Sequence, residues 1–150
     1  MNLADVYTEI ITEHNASGRN KHHIEAPTCV RKGVNPSCGD EIALEVRVKG
    51  DRIEDASFTG VGCAISQASA SLMIDLIRGK TVAEAKGLAE LFLGMIKGTV
   101  TDEARLEELE DAVALKGIAH MPARVKCAVL GWHTLEESLG KAGEKPSEIS

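Results

Sequence analysis

The sequence predicts an α+β domain in which a small antiparallel sheet of three strands is packed on one side by about five helices. Three observations carry that expectation. Ile42, Leu44, Val46 and Val48 alternate with Ala43, Glu45, Arg47 and Lys49, the two-residue period of a half-buried strand. Elsewhere the apolar residues recur every three to four positions, as on amphipathic helices. The strand-like stretches lie together between residues 28 and 60 with helical ones on either side, which segregates helices from sheet.

Taken in order, Leu3, Val6, Tyr7, Ile10 and Ile11 form one stripe of a helix over residues 3–13. Residues 14–27 are polar, include His22-His23, and read as a loop. A first strand over 28–34 is broken by Asn35-Pro36, and Ser37-Cys38-Gly39-Asp40 follows as a turn. The alternating strand ends at the hairpin signal Gly50-Asp51, and the return strand over 52–60 contains Ile53, Ala56 and Phe58. From Cys63 the chain turns helical, with small residues that let neighbours approach closely. Thr81 and Glu84 form a capping box for a helix running to about residue 93. A further helix is expected from near Thr101, with Leu106, Leu109 and Val113 as its buried edge and Glu107, Glu108, Glu110 and Asp111 solvated. Pro122 suits the first turn of the last helix, which continues through Trp132 to Leu139. Residues 141–150 read as a disordered polar tail, and 1–150 as a single domain.

A chain of 150 residues is long enough to bury a core without disulfides. Seventeen Lys and Arg against 23 Asp and Glu leave a net charge of −6, which argues against nucleic acid or an anionic membrane surface as a partner. One Trp, one Tyr and two Phe offer few rings for base stacking. The most apolar stretch, 88–96, is interrupted by Glu90 and Gly94 and is too short to span a bilayer. Asp5 and Glu9 stand where a secretory leader would be basic or apolar. A cytoplasmic location with reduced cysteines is therefore expected, and metal binding or thiol chemistry is favoured over disulfides.

The cysteines Cys38, Cys63 and Cys127 are spaced C-x24-C-x63-C, which is no zinc-finger pattern. Their contexts say more: Cys38 lies in a turn, Cys63 at a strand-to-helix junction, and Cys127 one turn into a helix. Near a helix N-terminus the positive end of the dipole favours the anionic thiolate. Three such thiols meeting beside the carboxylate of Asp40 would give a four-ligand set that zinc accepts. The same three residues also read as buried apolar side chains, because free cysteine is among the most buried residue types.

Two segments, Asn35-Pro36-Ser37-Cys38-Gly39-Asp40 and the stretch 58–71 around Gly60-Val61-Gly62-Cys63-Ala64-Ile65-Ser66, resemble the signatures of the IscU/SufU (NifU N-terminal-like) family of iron–sulfur cluster biosynthesis. Within it, IscU scaffolds have a histidine immediately before the third cysteine, where this chain has Lys126. The run Pro122-Ala123-Arg124-Val125-Lys126-Cys127 is similar to the SufU form, and 94–120 resembles the SufU insertion. The resemblance implies a zinc site of Cys38, Asp40, Cys63 and Cys127. It also implies sulfurtransferase activity: persulfide sulfur taken from a SufS-type cysteine desulfurase and passed to the SufBCD complex.

On that reading Cys38 leaves the metal when the desulfurase docks and attacks the incoming persulfide, while a desulfurase histidine takes the vacated position. Arg124 is a candidate partner for Asp40 or for the released Cys38; its alternative is a solvated arginine at a helix start. Two other functions share these residues: a scaffold assembling a transient 2Fe–2S cluster, and a partner-docking module around a structural zinc. Cys29, His22 and His23 are expected outside the site. His14 is expected to interact with the carboxyl end of the first helix. His120 and His133 flank the last helix without a motif, and Trp132 is assigned to packing.

Overall fold

Alternation sets the sheet. In the computed structural model, which describes residues 3–37, 39–140 and 147–148, Ile42, Leu44 and Val46 of β2 (Asp40–Lys49) all point into the core. The return strand β3 (Arg52–Val61) adds Ile53, Ala56 and Phe58. β1 (Cys29–Asn35) pairs antiparallel with β2 from Cys29↔Val46 to Asn35↔Asp40, and β2 pairs antiparallel with β3 from Glu41↔Val61 to Lys49↔Arg52. The three expected strands are thus present. A two-residue β4 (Ser147–Glu148) adds to the far edge, parallel to β1, giving the order β3-β2-β1-β4. The rest of the tail expected to be disordered, 141–146 and 149–150, lies outside the described residues.

Five α-helices accompany the sheet: α1 (Leu3–Ser17), α2 (Ala64–Ile77), α3 (Val82–Lys97), α4 (Glu103–Leu106) and α5 (Pro122–Gly140). The Thr81 capping box forms as expected, with Thr81 Oγ1 accepting the Glu84 N–H and Glu84 Oε1 accepting the Thr81 N–H, both at 3.0 Å. α5 packs on β1, α2 and α3. Small residues make the α2–α5 approach possible: Ser69 Oγ donates to the Ala128 carbonyl at 2.6 Å and accepts the Trp132 indole N–H at 2.9 Å. Trp132 stacks on Phe92 of α3, with ring centroids 4.0 Å apart.

Two local readings are corrected. The single helix expected from Thr101 is α4 followed by a run of 3-10 turns, Glu107–His120, broken at Glu110, whose φ is 51°. Its buried residues Leu109, Ala112, Leu115 and Ile118 recur every three positions, which matches three residues per turn rather than 3.6. Val113 consequently faces solvent, at 37% exposure. α1 also runs on to Ser17, so His14 lies inside it instead of following it. The ring is buried and shares a 2.7 Å hydrogen bond with Ser71 of α2. Among the described residues, no helix is long and apolar enough to cross a membrane.

Candidate metal centre

Sheet register and helix starts bring the site together. The Asn35↔Asp40 pair closes the β1–β2 hairpin, so Asp40 begins β2 at the mouth of the 36–39 turn. β3 ends at Val61 and the chain turns through Gly62 into Cys63, the N-cap of α2. Its Sγ accepts the Ser66 N–H at 3.4 Å, as a capping serine oxygen would. Cys127 lies in the second turn of α5 and, like Asp40, is fully buried. One ligand atom each from Asp40, Cys63 and Cys127 lie within 4.8 Å of one another. This is the only such group of three or more metal-binding side chains among the described residues.

The carboxylate of Asp40 is held from both sides. Oδ1 accepts the Cys63 backbone N–H at 2.9 Å and the Ser66 hydroxyl at 3.3 Å, while Oδ2 accepts the Asn35 amide at 3.2 Å. Each sulfur is tied to the same carboxylate through one neutral side chain: Cys63 through Ser66, with Sγ 3.8 Å from Oγ, and Cys127 through Asn35, with Sγ 3.9 Å from Nδ2. Gly62 is required by closeness, because a Cβ there would stand 2.4 Å from Ser66 Oγ and 2.9 Å from Asp40 Oδ1. The Gly62 carbonyl is in turn fixed by Gln67 Nε2 at 2.8 Å.

This donor set fits zinc. Thiolate sulfur and carboxylate oxygen suit a borderline-soft cation, and a tetrahedron with Zn–S bonds of ~2.3 Å has edges of about 3.8 Å, inside the 4.8 Å within which the three atoms lie. Three protein donors leave one position, and Cys38, two residues before Asp40 in the chain, lies outside the described residues. Arg124 is exposed on the first turn of α5, with no side-chain hydrogen bond or ion pair among the described residues. Cys29 sits at the opposite end of β1 from Asn35, roughly 20 Å away at strand spacing. His22 and His120 are exposed, His23 pairs with Glu45, His133 lies 3.6 Å from Glu136, and Trp132 is in the core. Sequence reasoning missed Asn35 and Ser66 as holders of the carboxylate, although both stand inside the two motifs it used.

The profile of the NifU-like N terminal domain matches residues 6–128. The chain belongs to this family. Among its NifU-like relatives, the zinc-dependent sulfurtransferase SufU of Bacillus subtilis is 40% identical over 140 residues, 93% of both chains. The iron–sulfur cluster assembly scaffold protein IscU of Thermotoga maritima is also 40% identical, over 136 residues that cover 91% of this chain and 94% of that one. A crystal structure described as a putative iron–sulfur cluster assembly scaffold protein for the SUF system, from Fervidobacterium islandicum, superposes with a TM-score of 0.83 at 39% identity. It covers 89% of this chain and 96% of its own.

Proposed function

We propose that this chain is a zinc-dependent sulfurtransferase of iron–sulfur cluster biosynthesis, with Cys38, Asp40, Cys63 and Cys127 as metal ligands. The observation that carries the reading is the convergence of Asp40, Cys63 and Cys127, from three separate segments, on one point beside the 36–39 turn. Bound zinc would keep its sulfur ligands deprotonated and, being redox-inert, would donate no electrons to a cluster. Lys126 before Cys127, and the 94–120 segment read as a SufU-type insertion, favour this branch over a scaffold.

Cys38 is the acceptor. Its thiolate attacks the outer sulfur of a SufS-type desulfurase persulfide; a new S–S bond forms on Cys38, and the desulfurase cysteine departs as thiolate with the electron pair. Asp40, held by the Cys63 N–H, Ser66 and Asn35, keeps its place while Cys38 moves. Arg124, exposed one turn before Cys127, is available to pair with the released Cys38 thiolate. The persulfide on Cys38 then passes its outer sulfur to an acceptor of the SufBCD complex.

The test is alanine production by a SufS-type desulfurase with and without this protein, with sulfur traced by mass spectrometry. A large rise with sulfur on Cys38, lost in Cys38→Ala, is expected. The equal identity to the Thermotoga scaffold favours one other reading, assembly and transfer of a 2Fe–2S cluster. No rise in alanine, together with stable cluster reconstitution and transfer, would establish that one instead.

A further inference from the structure

Asn35 stands opposite Asp40 at the base of the β1–β2 hairpin, and its side chain is fully buried. Nδ2 donates to Asp40 Oδ2 at 3.2 Å and lies 3.9 Å from Cys127 Sγ, the outer limit of an N–H···S contact. Its Oδ1 has no hydrogen-bond partner among the described residues. The orientation is dictated by charge: turned over, the amide would set its oxygen against a carboxylate oxygen and its donors away from both ligands. A buried amide with an idle acceptor calls for an explanation, and the explanation lies in what its donor group spans.

We propose that Asn35 is a positioning residue of the metal centre, whose single NH2 group fixes the Asp40 carboxylate and the direction of the Cys127 sulfur together. This rests on the metal-site reading above and adds the residue that sets its geometry. Ser66, at the start of α2, stands 3.3 Å from Asp40 Oδ1 and 3.8 Å from Cys63 Sγ. Its single O–H serves one acceptor at a time and the Cys63 carbonyl at 3.0 Å competes for it, so of the two only Asn35 has a donor for each of two ligands. Asn35 is suited to this because it neither ligates nor carries charge, so the ligand set keeps its net charge. Groups of this kind orient ligands and raise metal affinity without touching the metal.

The test loads the full chain with Co2+ as an optical probe and competes it with a chelator, for the parent, Asn35→Ala and the nearly isosteric, uncharged Asn35→Leu. Both variants are expected to bind Co2+ about 10–100-fold more weakly. Their sulfur-to-cobalt charge-transfer band should move to lower energy, because Cys127 loses a hydrogen bond that stabilises its lone pairs. In an Asp40→Ala background the Asn35→Ala cost should shrink, since half of what Asn35 holds is already gone. Affinities within about twofold of the parent, or a cost undiminished in that background, would overturn the proposal. Circular dichroism of the metal-free variants identifies any that fail to fold, and Asn35→Ser then replaces them with the same expectations. A parent chain that takes up no Co2+ would sink the metal reading itself, whereas a parent that binds and variants that match it sink only the role of Asn35.

Discussion

The backbone N–H of Cys63 donates to Asp40 Oδ1 at 2.9 Å, so the first residue of β2 accepts from the residue that caps α2. A strand start and a helix start are thereby locked together before any metal arrives. Asp40→Ala leaves that N–H without its acceptor, whereas Ser66 keeps the Cys63 carbonyl at 3.0 Å, and the expected cost to the metal-free fold is ~1–3 kcal/mol. Urea titration with chelator present measures it. Removing metal from the unmutated protein should speed amide exchange at residues 63–66 and leave Leu44 and Val46 protected, because the core persists without the site.

Gly62→Ala should act on the site and little else. The added Cβ would push on Ser66 Oγ and Asp40 Oδ1, both of which hold ligand geometry. An affinity loss for zinc of about 10-fold or more is expected, in the range for disturbed ligand-supporting contacts. Chelator competition reads it. Gly60→Ala differs, since φ is 127° and the Cβ would lie 2.1 Å from the Glu41 carbonyl oxygen, so it should disrupt β2–β3 pairing and unfold the chain.

His14 gives stability a pH dependence of definite sign. Burial and then the nearby Arg19 lower its pKa below 6.5, outweighing the opposing pull of Asp75, Glu13 and Asp111. Arg19 can only donate, so Nε2 at 3.1 Å accepts and the neutral ring carries its proton on Nδ1, facing Ser71. The unfolded chain therefore binds the extra proton more readily, and stability falls as pH drops below 6.5 toward the depressed folded value. Denaturation midpoints at neutral and mildly acidic pH, with chelator present, should converge in His14→Gln.

Ser69 links the two central helices through one oxygen. Ser69→Ala strands the buried Trp132 indole N–H and removes a second donor from the Ala128 carbonyl, and a loss of ~1–3 kcal/mol is expected. The denaturant midpoint should fall while metal affinity stays unchanged, since Ser69 touches none of the ligands.

What was legible in the sequence had a local cause. The strand alternation, the Thr81 cap and the Cys63 junction each announce themselves within a few residues, and structure follows them. The 3-10 run escaped because Leu106, Leu109 and Val113 also fit a helical period, and only packing of Leu115 and Ile118 selects the three-residue one. The partners of His14 are 57 residues away in the case of Ser71, so nothing nearby in the chain signals its burial. The bracing of Asp40 by Asn35 and Ser66 was hidden for a related reason: motif spacing names ligands, but the side chains that aim them are chosen by register across the sheet.

The unequal burial of the Cys63 and Cys127 sulfurs has a kinetic consequence. Cys63 is partly exposed at a helix end, whereas Cys127 is sealed on the inward face of α5. In metal-free protein an alkylating reagent should reach Cys63 directly, but Cys127 only when α5 lifts from its neighbours. The delay between the two modifications thus times the breathing of the last helix, with no label added to the chain beforehand.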